Sequence, residues 1–226
     1  MPPRKTKPSK LTALLKFDAA VRGECPHPYL IGLDEVGRGS LIGPVVAGAV
    51  CLPEVLDREQ KALLKWLDDS KQVAQPVRAE LCVAIRSFCR VGLGAAEKEE
   101  VDRLNVHYAS LLALYRAFED LCRQAGFENP EDCFLLVDGR AALSDFPKAR
   151  QRAVIKGDGT SAAIAAASVL AKETRDRMVE HWALEYPGYG WESNMGYGTP
   201  EHLAGIRTLG VTPLHRRHYK SVQQQL

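Results

Sequence analysis

The sequence predicts an α/β fold, a five-stranded sheet wound with helices, and three observations predict it. Short apolar runs at 29–33, 45–52, 88–95, 133–137 and 153–155 are bounded by Gly, Pro or polar turn residues, the pattern of buried strands. Segments with helical spacing lie between most of them. Three of the runs are followed closely by an aspartate, at Asp34, Asp138 and Asp158. With 226 residues, 46% hydrophobic and 26% charged, the chain suits one large domain, or one domain with an appendage.

Residues 1–10 hold three prolines and four basic side chains and read as a disordered basic arm. Leu11, Leu14, Leu15 and Ala19 then give a weak helical period, closed off by Pro26 and Pro28. Residues 1–28 are therefore expected as a basic N-terminal arm, partly disordered. The first strand ends in adjacent carboxylates, Asp34 and Glu35, followed by Gly37-Arg38-Gly39. Gly43-Pro44 turns the chain into the second strand. The glycines run G-x-G-x-x-x-G, one residue off the dinucleotide fingerprint, and two acids ahead of the loop would repel a bare pyrophosphate. That excludes a Rossmann reading. An isolated Asp-Glu beside glycine also suits a solvated turn.

Residues 59–67 read as a short helix leading to Asp68-Asp69-Ser70-Lys71, where Lys71 is either a solvated lysine or a phosphate clamp. Residues 76–85 have helical spacing with Pro76 in the first turn. Residues 97–124 read as one long helix, or a short one and a long one, burying Leu111, Leu114, Phe118 and Leu121. Asp138-Gly139, after the fourth strand, equally suits a tight turn. Asp158, with Thr160 and Ser161, equally suits the cap of the helix that follows. That helix, 160–182, is packed with Ala and Ser in its first half, small enough for close approach to the sheet. Its second half is charged and for the most part reads as an exposed face.

Residues 186–199 form a loop of glycines and rings, suited either to sugars and bases or to packing on its own rings. Thr199 caps a short helix with Pro200 at its first position, and a basic tail, 213–218, could track phosphates.

The net charge of +2 hides an asymmetry. Residues 1–16 and 202–226 carry nine basic residues and no acid, bar none, leaving 21 basic against 28 acidic residues over 17–201, a net of −7. Basic ends on an acidic body fit a polyanion held against a metal-loaded site, or serve solubility alone. The longest small or apolar run, 162–171, is too short to span a bilayer, and the N-terminus lacks the apolar core of a secretory signal. Six cysteines show no C-x-x-C and no His partner spacing, as free cytosolic thiols do. The expected location is the cytoplasm.

Repetition gives the aspartates their weight. In a sheet wound with helices, the ends of strands gather ligand residues on one face. Four carboxylates converging without metal would be costly, because each ionised pair at ~4 Å repels by about 4 kcal/mol near a surface. Two Mg²⁺ would roughly neutralise four such charges and prefer these hard oxygens. Convergence of Asp34, Glu35, Asp138 and Asp158 therefore predicts a metal site.

At this point several ordered motifs resemble bacterial ribonuclease HII. They are I-G-L-D-E-V-G-R-G-S-L-I-G-P-V-V-A (31–47), D-S-K (69–71), V-D-G (137–139), K-G-D-G-T-S-A-A-I-A-A-A-S-V-L-A-K-E-T-R-D-R (156–177), Y-P-G-Y-G (186–190), M-G-Y-G-T-P-E-H-L (195–203) and P-L-H-R-R (213–217). The resemblance implies an RNase H-like fold: a five-stranded mixed sheet flanked by helices, with a C-terminal helical segment. It implies a catalytic core over 29–185 and a C-terminal loop and helices, 186–226, that contribute to substrate binding. Asp34, Glu35, Asp138 and Asp158 are implied as catalytic carboxylates binding Mg²⁺ or Mn²⁺, two ions in the expected mechanism. Gly37, Arg38 and Gly39 are implied to sense the ribose 2′-hydroxyl, Tyr197 to stack on the neighbouring sugar and Lys71 to contact phosphate. Arg216, in the basic tail, joins the expected substrate contacts.

Ser40 stands where the family commonly has Pro, Gln72 where a second Lys is usual, and Met195 where Lys is common. The loop at 37–39, and an arm too short for an extra N-terminal domain, separate the chain from the HIII relatives. The Gln-rich end lacks the aromatic pair of a sliding-clamp motif, so no strong clamp anchor is expected there. The implied activity is endonucleolytic hydrolysis 5′ of ribonucleotides in RNA/DNA hybrids and in duplex DNA, leaving 3′-hydroxyl and 5′-phosphate ends, by a monomer without membrane attachment. The alternatives are another nuclease of this fold without ribonucleotide specificity, and a non-catalytic nucleic-acid binding module.

Overall fold

The computed structural model describes residues 10–68, 73–127 and 129–226. Lys71 and Gln72, and residues 1–9 of the expected basic arm, lie outside them. The five expected strands form one sheet: β1 (Tyr29–Val36), β2 (Val45–Cys51), β3 (Arg90–Ala96), β4 (Cys133–Asp138) and β5 (Gln151–Val154), in the order β3-β2-β1-β4-β5. β1 runs antiparallel to β2, and β2 to β3, whereas β4 lies parallel to β1, and β5 parallel to β4. The sheet is therefore mixed. Because β4 and β5 are parallel, Asp138-Gly139 does not close a hairpin, and the chain leaves β4 for a longer crossover.

Eight α-helices complete the described chain: α1 (Leu11–Glu24), α2 (Arg58–Leu63), α3 (Gln75–Phe88), α4 (Lys98–Ala125), α5 (Ala162–Glu185), α6 (Trp191–Asn194), α7 (Pro200–Leu209) and α8 (Lys220–Gln223). On one face, α4 packs Ala113, Leu114, Ala117, Phe118 and Leu121 against Ile31, Leu33, Val45 and Val137. Asn105, at φ 63°, divides α4 into a short and a long piece and accepts the N–H of His107. On the other face the Ala-rich half of α5 lies close to the sheet. A Cβ on Gly32 would come within 2.3 Å of the Ala163 carbonyl oxygen, and one on Gly48 within 2.5 Å of that of Ala167. Glycine in the strands and alanine in the helix thus allow a contact that larger residues at either position would prevent.

The weak helical period after residue 10 is a helix, α1, which buries Leu11, Leu14 and Val21, and Asp18 accepts the Ala163 N–H at 2.9 Å. One expectation is corrected here: the charged half of α5 is not mainly an exposed face. Glu173, Arg175 and Asp176 are buried, and Arg78 of α3 lies between the two acids, 2.6 Å from Asp176 and 3.4 Å from Glu173. A separate small core unites Leu41, Ile42 and Val179 with Tyr189, Trp191, Ile206 and Val222, docking the C-terminal segment against the loop after β1.

Candidate active site

β1 and β4 bring the first acids together. Leu33 pairs with Val137 in parallel register, so Asp34 and Asp138 stand one residue further on, side by side at two central strand ends. Successive strand residues point to opposite faces. Leu33 faces the α4 core, and Asp34 faces α5, whose Ser168 hydrogen-bonds its carboxyl. Asp34 Oδ1 also accepts the Glu35 N–H at 2.8 Å. Glu35 is turned towards Arg38, whose Nη1 lies 3.0 Å from its Oε1.

Asp158 sits in the 3-10 turn Gly157–Gly159 between β5 and α5. It does not cap α5: Ser161 is the N-cap and accepts the Ile164 N–H. Asp158 Oδ1 instead accepts the Gly159 N–H at 2.9 Å. The turn is fastened to β4 by the Gly157 N–H, which donates to Asp138 Oδ1 at 2.6 Å.

The four acids share one electrostatic neighbourhood. Burial first, then the charges of Glu35, Asp138 and Asp158, hold the Asp34 carboxyl well above the usual carboxylate range, with the Ser168 bond opposing them. Burial also raises Glu35, with Asp138 adding to the rise, while Arg38 works against it. Among the described residues no three His, Cys, Asp or Glu side chains stand close enough, as they are oriented, to hold a metal ion together. The chemistry of the donors nevertheless suits a hard divalent cation: carboxylate oxygens only, crowded with like charge, which a cation would relieve.

A cavity of about 360 Å³ opens beside Glu35 and Asp138, walled also by Arg38, His107, Ser110 and Arg140. A larger one, of about 890 Å³ between α1 and residues 52–56, contains none of the four acids and lies apart from this chemistry.

The expected substrate contacts divide. Gly37 takes φ +93°, and a Cβ there would meet Arg175 Nε at 2.3 Å, so only glycine serves at that position. The Tyr197 ring lies about 3.5 Å from where a Cβ of Gly39 would stand, and at 37% exposure it is open to solvent. Tyr189 and Trp191, by contrast, stack on each other and are buried, so most of the aromatic loop packs on its own rings. Arg216 is corrected. It is fully buried, and its guanidinium donates to the carbonyls of Gly37, Arg38, Ser40 and Gly43 rather than facing a surface.

Ser40 has a role at the position where the family commonly has proline. Its N–H donates to the Gly37 carbonyl at 3.2 Å, which a proline could not do, and its hydroxyl donates to Gly196 at 3.0 Å. Met195, at φ 50°, contributes its carbonyl to Arg175.

Two residues went unread from the sequence, Ser168 and His202, and Arg175 reads there only as part of a charged helical face. Ser168 left a signal, being the one polar side chain within 162–171. His202 left none. His202 Nε2 accepts the Trp191 indole N–H at 2.9 Å, so its Nδ1 carries the proton and donates to the Tyr197 carbonyl at 3.0 Å.

Residues 31–222 match the family Ribonuclease HII. The ribonuclease HII of Rhizorhabdus wittichii is 44% identical over 204 residues, covering 89% of this chain and 93% of its own. That of Sphingopyxis alaskensis is 46% identical over 197 residues, covering 86% and 90%. Among solved structures, the RNase HII in a PCNA complex from Archaeoglobus fulgidus superposes with a TM-score of 0.65 at 23% identity, over 87% of this chain and 96% of that one. The ribonuclease H2 of Pyrococcus horikoshii gives a TM-score of 0.64 at 22% identity, over 87% and 96%. A Bst-RNase HIII in complex with Mn²⁺ gives 0.68 at 20% identity, over 99% of this chain and 75% of that one. At these identities the structures speak for the fold, and the close sequence relatives for the enzyme class: the chain belongs to the ribonuclease HII family of RNase H endonucleases.

Proposed function

We propose that this enzyme hydrolyses the phosphodiester on the 5′ side of ribonucleotides, both in RNA/DNA hybrids and in duplex DNA carrying single ribonucleotides. The products end in 3′-hydroxyl and 5′-phosphate, and the reaction serves ribonucleotide removal and repair in the cytoplasm. The observation that carries this reading is the coupling of Asp34 to Glu35, Asp138 and Asp158 at adjoining strand ends, next to a glycine loop and an open tyrosine ring.

Asp34, Glu35, Asp138 and Asp158 would hold Mg²⁺ or Mn²⁺. When bound, divalent metal supplies a water acidic enough to attack phosphorus and neutralises charge on the departing 3′ oxygen. The chain's own residues do the positioning. The Ser168 and Glu35 N–H contacts orient the Asp34 carboxyl, and the Gly157 N–H holds Asp138 while fixing the turn that bears Asp158. Arg38 partly offsets the charge of Glu35 and stays half-exposed at the mouth of the site. The backbone at Gly37, Arg38 and Gly39 approaches the ribose closely, with no side chain on Gly39 to stand between it and the Tyr197 ring. Tyr197 stacks beside it and Lys71 contacts phosphate.

The test is cleavage of two DNA duplexes, one carrying a single ribonucleotide and one carrying none, with Mg²⁺ or Mn²⁺. Cleavage is expected only of the first, immediately 5′ of the ribonucleotide. Equal cutting of both would defeat the ribonucleotide assignment. Asp138→Asn should abolish turnover while duplex affinity stays near that of the wild type.

A further inference from the structure

Two arginines lie fully buried beneath the loop that follows β1. Arg216 donates from Nε to the Gly43 carbonyl at 2.8 Å, and the two hydrogens of Nη1 are shared among the carbonyls of Gly37 at 2.8 Å, Arg38 at 3.2 Å and Ser40 at 2.9 Å and the Tyr219 hydroxyl at 2.9 Å. The Tyr219 hydroxyl itself donates to the Arg38 carbonyl at 2.8 Å. Arg175, from α5, donates to the Ile42 carbonyl at 3.2 Å and to the Met195 carbonyl at 3.1 Å. It therefore ties the loop after β1 to the loop that ends in Tyr197. Every one of these bonds goes to an uncharged oxygen. Burying two like charges that way is unfavourable compared with apolar residues of similar size, so simple packing does not account for them.

The arginine fork does account for them, because its donors lie in a fixed plane and hold several carbonyls in a set direction. The peptide bonds here are trans, so each N–H points opposite to the carbonyl of the preceding residue. Turning the Gly37 and Arg38 carbonyls inward onto Arg216 therefore turns the Arg38 and Gly39 N–H groups outward. These outward donors stand next to the Tyr197 ring, whose spacing from the loop is held by Arg175 and by the Leu41 N–H bond to the Gly196 carbonyl at 2.8 Å.

We infer that Arg216 and Arg175 are positioning residues for ribose recognition, aiming the Arg38 and Gly39 N–H groups and setting their distance from Tyr197 without touching the nucleic acid. The inference rests on the ribonucleotide reading given above. It places selectivity for ribose over deoxyribose partly in two side chains that solvent does not reach.

The experiment compares wild type, Arg216→Lys, Arg175→Lys and Tyr219→Phe on the single-ribonucleotide and all-DNA duplexes. Lysine keeps the charge and loses the fork. For Arg216→Lys and Arg175→Lys the ratio of kcat/KM between the two duplexes should fall about tenfold or more, the scale expected of a misplaced binding group, while duplex affinity changes by less than about threefold. Tyr219→Phe removes one hydroxyl at a half-buried position and should lower the ratio by about threefold, with its melting temperature near that of wild type. A wild-type ratio in Tyr219→Phe and in either folded lysine variant would overturn the inference. If both lysine variants fail to fold, Tyr219→Phe decides alone. A second readout separates this inference from the reading beneath it. Hydrogen exchange at the Leu41 amide should accelerate at least about tenfold in the variants while β1 amides stay protected. If wild type cuts both duplexes equally, the ribonucleotide reading fails, and an unchanged Leu41 amide would then overturn the positioning role too.

Discussion

The Gly157 N–H donates to Asp138 Oδ1 over 2.6 Å, and this bond joins two acids that lie 20 residues apart in sequence. It fixes the turn carrying Asp158 against the strand end carrying Asp138. Position 157 is also sterically full: a Cβ there would come within 2.5 Å of Ile164 Cδ1 and 3.1 Å of Asp138 Oδ1. Crowding at this point therefore presses first on the Ile164 side chain and then on the Asp138 carboxylate, not on a surface loop.

Gly157→Ala is accordingly expected to cost activity more than stability. Overpacking of this kind costs about 1–3 kcal/mol, readable by urea unfolding. Turnover of the single-ribonucleotide duplex should fall by about a hundredfold, because a small displacement of a positioned group is amplified in rate. Wild-type turnover in a protein destabilised by that amount would mean that the Gly157–Asp138 bond does not organise the site.

Asp34 is crowded by burial and by the charges of three other acids. Replacing it with Asn removes a charge from that cluster and keeps the shape. In the presence of EDTA, Asp34→Asn should therefore melt higher than wild type. Adding Mg²⁺ should raise the wild-type melting temperature, by linkage, and raise that of the variant much less. A variant that melts lower in EDTA would show that hydrogen bonding to Asp34, not repulsion, dominates there.

The C-terminal segment carries a separate sensitivity to acid. The Thr212 N–H donates to His215 Nδ1 at 2.9 Å, and His215 Nε2 lies 3.1 Å from His202 Nε2, which already accepts from Trp191. His215 must then donate through Nε2 and remain neutral. Burial, reinforced by His202, pushes it down to about 4 from an ordinary value of 6.5. The unfolded chain binds this proton first, so stability rises with pH across the window from about 4 to 6.5 and is lost as pH falls through it. A shift of this size corresponds to about 3 kcal/mol. Measured against His215→Leu, in which the other titrating groups are unchanged, wild-type stability should decline by up to that order between pH 7 and pH 4. A constant difference across that range would show that His215 is not held neutral by the fold.

How much of this was legible in the sequence depended on the range of the interactions involved. Strand ends and glycine turns are local, so apolar runs and their punctuation located β1 to β5 and placed Asp34, Glu35, Asp138 and Asp158 where the chain leaves the sheet. Close packing of α5 was legible from its alanines, because small residues leave few other arrangements. Arg175, Arg216 and the charged half of α5 were misread because their partners are distant in sequence. Arg78 lies 98 residues before Asp176, and Arg216 lies 179 after Gly37. A basic side chain in a polar stretch resembles a surface residue until the fold supplies the carbonyls or acids that surround it. The rings of 186–199 show the same limit. Composition could not tell which of them faces solvent, and packing buries Tyr189 and Trp191 while leaving Tyr197 open.

Tyr197 offers a test in which side chain and backbone separate cleanly. Its carbonyl accepts His202 Nδ1–H and the Thr199 N–H, and it bridges Ser40 across the two loops, so the backbone is held by contacts that do not involve the ring. Substitution should therefore change what the ring does and leave the loop in place. Tyr197→Phe keeps the stacking face and should bind the single-ribonucleotide duplex within about threefold of wild type. Tyr197→Ala removes that face. Stacking on an aromatic ring contributes about 1–3 kcal/mol, so KM should rise by about tenfold or more, with kcat reduced less. Because a conserved backbone geometry underlies both variants, equal loss in Phe and Ala would assign the effect to the hydroxyl, and no loss in either would remove Tyr197 from the substrate contacts.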